Sequence, residues 1–151
     1  MKRHFVTVLL MCLLPSLAHA VGTTGTANVN IIKALVVNET SEVNFGSIPA
    51  QNGQCRMLSN GELEGVAGQD CKGTSTPGTF SLTGTAEQNI VVSVAAGTTV
   101  DGVTFTPEVD GTPNRILNAG NSEVNIIGSL DLSGATPGSK LVTYTFTAHY
   151  E

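Results

Sequence analysis

Along residues 138–151, GSKLVTYTFTAHYE, apolar and polar positions alternate. Val142, Tyr144, Phe146, Ala148 and Tyr150 fall on one face, and Leu141, Thr143, Thr145, Thr147 and His149 on the other. A period of two belongs to a strand with one buried face, because successive side chains leave a strand on opposite sides. β-branched and aromatic residues fill the stretch, and they suit a pleated, packed surface. A fainter alternation runs through residues 21–31, with Val21, Thr23, Gly25, Ala27, Val29 and Ile31 on one face. Between these ends the pattern predicts short strands at 31–37 (IIKALVV), 43–48 (VNFGSI), 80–83 (FSLT), 89–95 (NIVVSVA), 103–106 (VTFT), 115–117 and 124–132 (VNIIGSLDL). Pro107 is expected to end the strand before it, since proline lacks the N–H a ladder needs.

Turn signals separate the strands. Asn38-Glu39-Thr40 reads as a turn, Asn60-Gly61 and Asp101-Gly102 read as hairpin turns, and residues 110–113, 118–122 and 133–139 read as loops. Gly46 marks a bulge or a close backbone approach. Counting a hairpin within the irregular stretch 49–79, the chain carries about eight or nine short strands spaced by turns, the signature of an all-β antiparallel sandwich or barrel. No amphipathic helical period longer than one turn is present downstream of residue 20.

The start of the chain follows a different rule. Lys2, Arg3 and His4 precede an apolar run over residues 5–14, and Pro15 and Ala18-His19-Ala20 follow it. The run is too short to cross a bilayer core of about 30 Å. A basic start, a short apolar run and small residues at the cleavage positions predict a secretory signal peptide at 1–20, cut between Ala20 and Val21. The expected organisation is therefore 1–20 signal peptide, 21–30 N-terminal extension and 31–151 one β-domain. After cleavage five basic residues face twelve acidic ones, a net charge of 5 − 12 = −7. Such a chain, without a basic cluster, is unsuited to nucleic acid. No second apolar run is long enough for a membrane helix.

Of three cysteines, Cys12 leaves with the signal, and Cys55 and Cys71 remain as an even pair in an exported chain. They are expected to be bridged. Metal ligation by the pair lacks partners, because His149 is the one histidine beyond residue 20. The same scarcity argues against a hydrolase triad, and no G-x-S-x-G motif occurs. Asp101 and Asp110 sit in turn signals, where aspartate bonds backbone. The residues give no catalytic set, no cofactor site and no metal site, so a non-enzymatic role is expected.

With Tyr150 penultimate and Gly138 fourteenth from the end, the alternating 138–151 stretch resembles the C-terminal strand of fimbrial (pilin) subunits of the bacterial chaperone–usher pathway. The pair Cys55–Cys71 lies outside the first predicted strand, unlike the best-known subunits, and this points to a divergent branch. VNFGSI, FSLTG and GSKLVTYTFTAHY are also similar to an uncharacterised family of secreted bacterial β-domains. The fimbrial resemblance implies an immunoglobulin-like sandwich lacking one strand. It implies export through the periplasm, capture by a periplasmic chaperone, delivery to an outer-membrane usher, and head-to-tail assembly into a surface fibre. Its assembly strand would comprise Gly138, Val142, Tyr144, Phe146, Ala148 and Tyr150, with the Glu151 carboxylate anchored by the chaperone. Its donor strand would comprise Val21, Thr23, Gly25, Ala27, Val29 and Ile31. The alternative is a self-complete secreted or periplasmic β-sandwich that binds a ligand, in which residues 21–31 pair within their own domain.

Overall fold

The computed structural model describes residues 23–66 and 68–151. The expected signal peptide, its cleavage site at Ala20 and Val21, and the first donor position lie outside the described residues. The chain divides between Asn30 and Ile31 into two units. In the first, residues 23–30 form no strand and their side chains are exposed.

The second unit is all-β and antiparallel. Among the described residues nine strands follow in order: β1 (Val36–Ser41), β2 (Gln54–Met57), β3 (Leu63–Val66), β4 (Gly78–Thr83), β5 (Asn89–Ala96), β6 (Thr104–Val109), β7 (Asn114–Ile116), β8 (Asn121–Asp131) and β9 (Tyr144–Tyr150). The first sheet is built around β8. One edge of β8 pairs with β4 over Asn121 to Ile126, then with β2 over Gly128 to Asp131; the other edge pairs with β6. β1 extends this sheet beyond β4, and β3 extends it beyond β2. The second sheet has the order β7-β5-β9.

The two sheets share one core. Phe80 and Leu82 of β4, Phe105 of β6, and Val124 and Ile126 of β8 meet Ile90 and Val92 of β5, with Leu117 completing the buried cluster. Each of these strands supplies alternate residues to the interior, as a half-buried sheet face requires. Tyr144, Phe146, Ala148 and Tyr150 pack against the cluster from β9 and stay half-buried.

Four expectations need correction. The first strand lies at 36–41, not 31–37, because the backbone of Lys33 is taken by Thr85 and Tyr150 while Val36 to Ser41 pair with β4. The expected turn at Asn38-Glu39-Thr40 is strand. It survives as a bulge, with Glu39 opposite Phe80 and Ser41 opposite Thr79, leaving Thr40 as the extra residue. Residues 43–48 make only an isolated bridge between Asn44 and Thr76. Gly46 explains why: it has φ +66°, and a Cβ there would overlap the Thr74 carbonyl. The close approach was the correct half of that expectation. Pro107 does not end β6 but sits inside it, tolerated because β6 is an edge strand with β8 as its one partner.

Cys55 and Cys71 are bridged, with Cα atoms 5.6 Å apart, and both are buried beside Val103 and Leu132. The bridge ties β2 to the segment after the β2–β3 hairpin, whose Asn60-Gly61 turn is closed by Gly61 N–H donating to the Leu58 carbonyl at 2.8 Å. Closing a loop of 16 residues restricts the unfolded chain by about 3 kcal/mol. Cys55→Ser is therefore expected to lower the melting temperature by roughly 10 °C under oxidising conditions. Thermal scans of the two proteins side by side check this.

Candidate functional site

Two strand edges define the site. β9 has one strand partner, β5, in a register running from Ile90 opposite Tyr150 to Ala96 opposite Tyr144. Glu151 N–H donates to the Asn89 carbonyl at 3.1 Å, which sets the phase of the ladder. Backbone groups of successive residues in an antiparallel strand point to opposite edges. Thr145, Thr147 and His149 therefore aim theirs at β5, and Tyr144, Phe146, Ala148 and Tyr150 aim theirs away from it. Among the described residues no strand pairs with that second edge. The same four residues carry the inward side chains. Among the described residues β1 also has a free edge, with β4 its one partner.

Between the 39–50 segment and the 136–144 segment lies a groove of about 970 Å³. Its apolar lining includes Val43, Phe45, Phe105, Leu130, Val142 and Tyr144, and its charged lining is Glu39, Glu42 and Lys140. A chain of rings runs from it along β9. Phe146 stacks on Phe80 with centroids 4.2 Å apart. Phe80 meets Tyr144 edge-on at 6.2 Å, Tyr144 meets Phe105 at 5.4 Å, and Phe105 meets Phe45 at 5.5 Å. These are all four phenylalanines beyond residue 20; Phe45, Phe105 and Tyr144 line the groove, and Phe80 and Phe146 continue the chain of rings along β9. The Tyr144 hydroxyl donates to Glu39 Oε1 at 3.4 Å. Burial, reinforced by the neighbouring Glu39 carboxylate, holds the Tyr144 phenol above its ordinary pKa, so it stays a neutral donor.

Tyr150 has a defined place at the far end of β9. Its hydroxyl donates to the Lys33 carbonyl at 2.8 Å and accepts from Thr85 N–H at 2.8 Å, while Lys33 N–H donates to Thr85 Oγ1 at 2.7 Å. The three bonds close a ring joining the approach to β1, the β4–β5 connection and β9. Gly84 makes room for it, because a Cβ there would overlap the Tyr150 hydroxyl. Tyr150→Phe removes both hydroxyl bonds and leaves the Thr85 N–H and Lys33 carbonyl without that partner. The expected loss is about 1–3 kcal/mol, read as a lower urea midpoint at unchanged slope.

The assembly-strand candidates separate into two groups. Val142, Tyr144, Phe146, Ala148 and Tyr150 share the inward face, although the strand itself begins at Tyr144. Gly138 lies outside β9, at the rim of the groove. Glu151 follows β9 and is held to Asn89. Of the donor candidates, Thr23, Gly25, Ala27, Val29 and Ile31 belong to no strand, and Val29 and Ile31 are 82% and 87% exposed. Sequence reasoning missed Lys33, Thr85, Glu39 and Glu42. The last two sat in or beside a supposed turn, and nothing local marks them as facing β9.

His149 is exposed on the outer face of β9. Among the described residues no group of three or more His, Cys, Asp and Glu could hold a metal ion, and no helix is long and apolar enough to cross a membrane. Comparison of the chain with family models, with curated proteins and with solved structures finds no match.

Proposed function

We propose that this protein is a structural subunit of a bacterial surface fibre, assembled by insertion of an extended segment of one copy beside β9 of the next. The observation that carries the proposal is the free edge of β9, whose outward backbone groups and inward side chains belong to the same four residues, next to an open apolar groove. A strand added there would form backbone bonds with Tyr144, Phe146, Ala148 and Tyr150 and place its own alternate side chains in the groove, the mode of recognition called β-augmentation. The segment to supply it is the alternating stretch 21–31, whose residues 23–31 belong to no strand and are exposed.

The strand order supports the immunoglobulin-like part of this reading. The order β1-β4-β8-β6 corresponds to strands A-B-E-D of that fold, and β5 and β9 correspond to C and F. The position next to β9 is where the fold carries its strand G. β7 and the disulfide-tied β2–β3 hairpin are additions to this plan. A head-to-tail contact of this kind does not close on itself, so it yields a filament. An unpaired edge beside exposed apolar surface is an aggregation hazard before assembly. A periplasmic chaperone that covers it, and an outer-membrane usher that exchanges the chaperone for the next copy, complete the proposed route to the cell surface.

Deleting residues 21–30 from the mature chain tests the proposal. The shortened chain is expected to melt as the full chain does and to remain monomeric where the full chain forms a ladder of multimers in light scattering. Equal multimer formation by both would remove the donor role from this segment.

A further inference from the structure

Three charged residues line the groove, and they are not equivalent. Lys140 Nζ is engaged by Asp101 Oδ2 at 2.9 Å and by Thr136 Oγ1 at 3.1 Å. Glu39 and Glu42 make no ion pair among the described residues, and both are exposed at the mouth. The groove therefore presents net negative charge at one end only, the Tyr144 end of β9. The candidate donor has the matching asymmetry. Residues 21–32 carry no charged side chain, and the first that follows is Lys33, which is exposed. Within one copy, Lys33 is bonded to Tyr150 and Glu39 to Tyr144, at opposite ends of β9. Six residues of strand separate those ends by roughly 20 Å, so a copy's own lysine does not serve its own carboxylates.

Size runs in the same direction as charge. The largest side chain of the donor stretch, Ile31, stands at its C-terminal end beside Val29; Thr23, Gly25 and Ala27 are small, and Val21 is the one aliphatic side chain at the other end. The open volume of the groove lies beside Val142 and Tyr144, not beside Ala148 and Tyr150. An antiparallel insertion brings Ile31 to the wide end and Lys33 to the two carboxylates. A parallel insertion brings the smaller Val21 there instead and leaves Lys33 at the opposite end of β9.

Building on the donor reading above, we propose that Lys33 of one copy docks against Glu39 and Glu42 of the next, and that this charge contact fixes the polarity and register of the inserted strand. The test uses the full mature chain and synthetic peptides of residues 21–34, with binding read by fluorescence anisotropy. The Lys33→Glu peptide is expected to bind the wild-type chain about 3- to 10-fold more weakly at low salt, with the difference shrinking in 1 M salt as exposed charges are screened. On the Glu39→Lys/Glu42→Lys chain the order of the two peptides is expected to invert. Because Glu39 also accepts the Tyr144 hydroxyl, Glu42→Lys alone is measured as well and should move both affinities in the same directions by a smaller factor, with an unchanged melting temperature. Equal affinity of the two peptides for the wild-type chain, or no inversion on the charge-reversed chain, overturns the inference and leaves the donor reading standing. Binding by neither peptide overturns the donor reading itself, and this inference with it.

Discussion

A second copy of residues 21–32, joined to Glu151 through a short turn, is expected to raise the melting temperature by about 10 °C or more and to abolish multimer formation. The turn lets the added segment reverse and run antiparallel to β9. Val29 and Ile31, now almost fully exposed, would enter the groove. Each large aliphatic side chain contributes about 1.5–3 kcal/mol when buried, and the half-exposed faces of Phe45, Val142, Tyr144 and Phe146 would be covered at the same time. This burial and the backbone bonds of the new pairing act against the conformational entropy lost on ordering the segment. A net stabilisation of about 3 kcal/mol corresponds to the stated shift for a domain of this size. The multimers should vanish for a separate reason: the groove would already be occupied, so no second chain could enter. A fusion with Val29 and Ile31 both changed to Asp serves as the control, and should keep the original melting temperature.

Phe80→Ala is the single core substitution expected to cost most, about 3–5 kcal/mol. Phe80 is 8% exposed, and it is the ring that joins Phe146 on one side to Tyr144 on the other. Truncating it removes an aromatic side chain and both ring contacts, and neighbouring strands held by β4–β8 pairing cannot collapse fully into the space. Phe146→Ala should cost less, because Phe146 is half-buried at the open edge. The double substitution should cost less than the sum of the two, since stacked rings at 4.2 Å share an interaction of about 0.5–1.5 kcal/mol. Urea unfolding of the three variants gives all of these values from one set of curves.

The terminal strand was legible because alternation is a local property. The pattern read over residues 141–150 is the burial pattern found, residue by residue. β4, β5 and β8 were legible for the same reason, and so was the disulfide, from an even cysteine count in a chain expected to be exported. The first strand was not. Residues 31–35 are as apolar as a strand, yet Lys33 spends its backbone bonds on Thr85 and on a tyrosine 117 positions away. The turn chemistry of Asn38-Glu39-Thr40 was overridden by pairing with β4, which turned it into a bulge. Pro107 was misjudged because its tolerance depends on β6 being an edge strand, a fact about neighbours. The groove shows the same division. Alternation tells which face of β9 is buried, but not which edge lacks a partner. The mouth formed by Glu39 and Glu42 exists only once β1 and β9 are brought together.

Amide hydrogen exchange at β9 tests the central claim most directly. In a chain lacking residues 21–30, the amides of Tyr144, Phe146, Ala148 and Tyr150 are expected to exchange much faster than those of Thr145, Thr147 and His149, which donate toward β5. Adding the peptide of residues 21–34 should slow the four fast amides and leave the other three nearly unchanged. Uniform protection along β9 before the peptide is added, or no slowing at the four after it, would contradict an open edge that another copy fills.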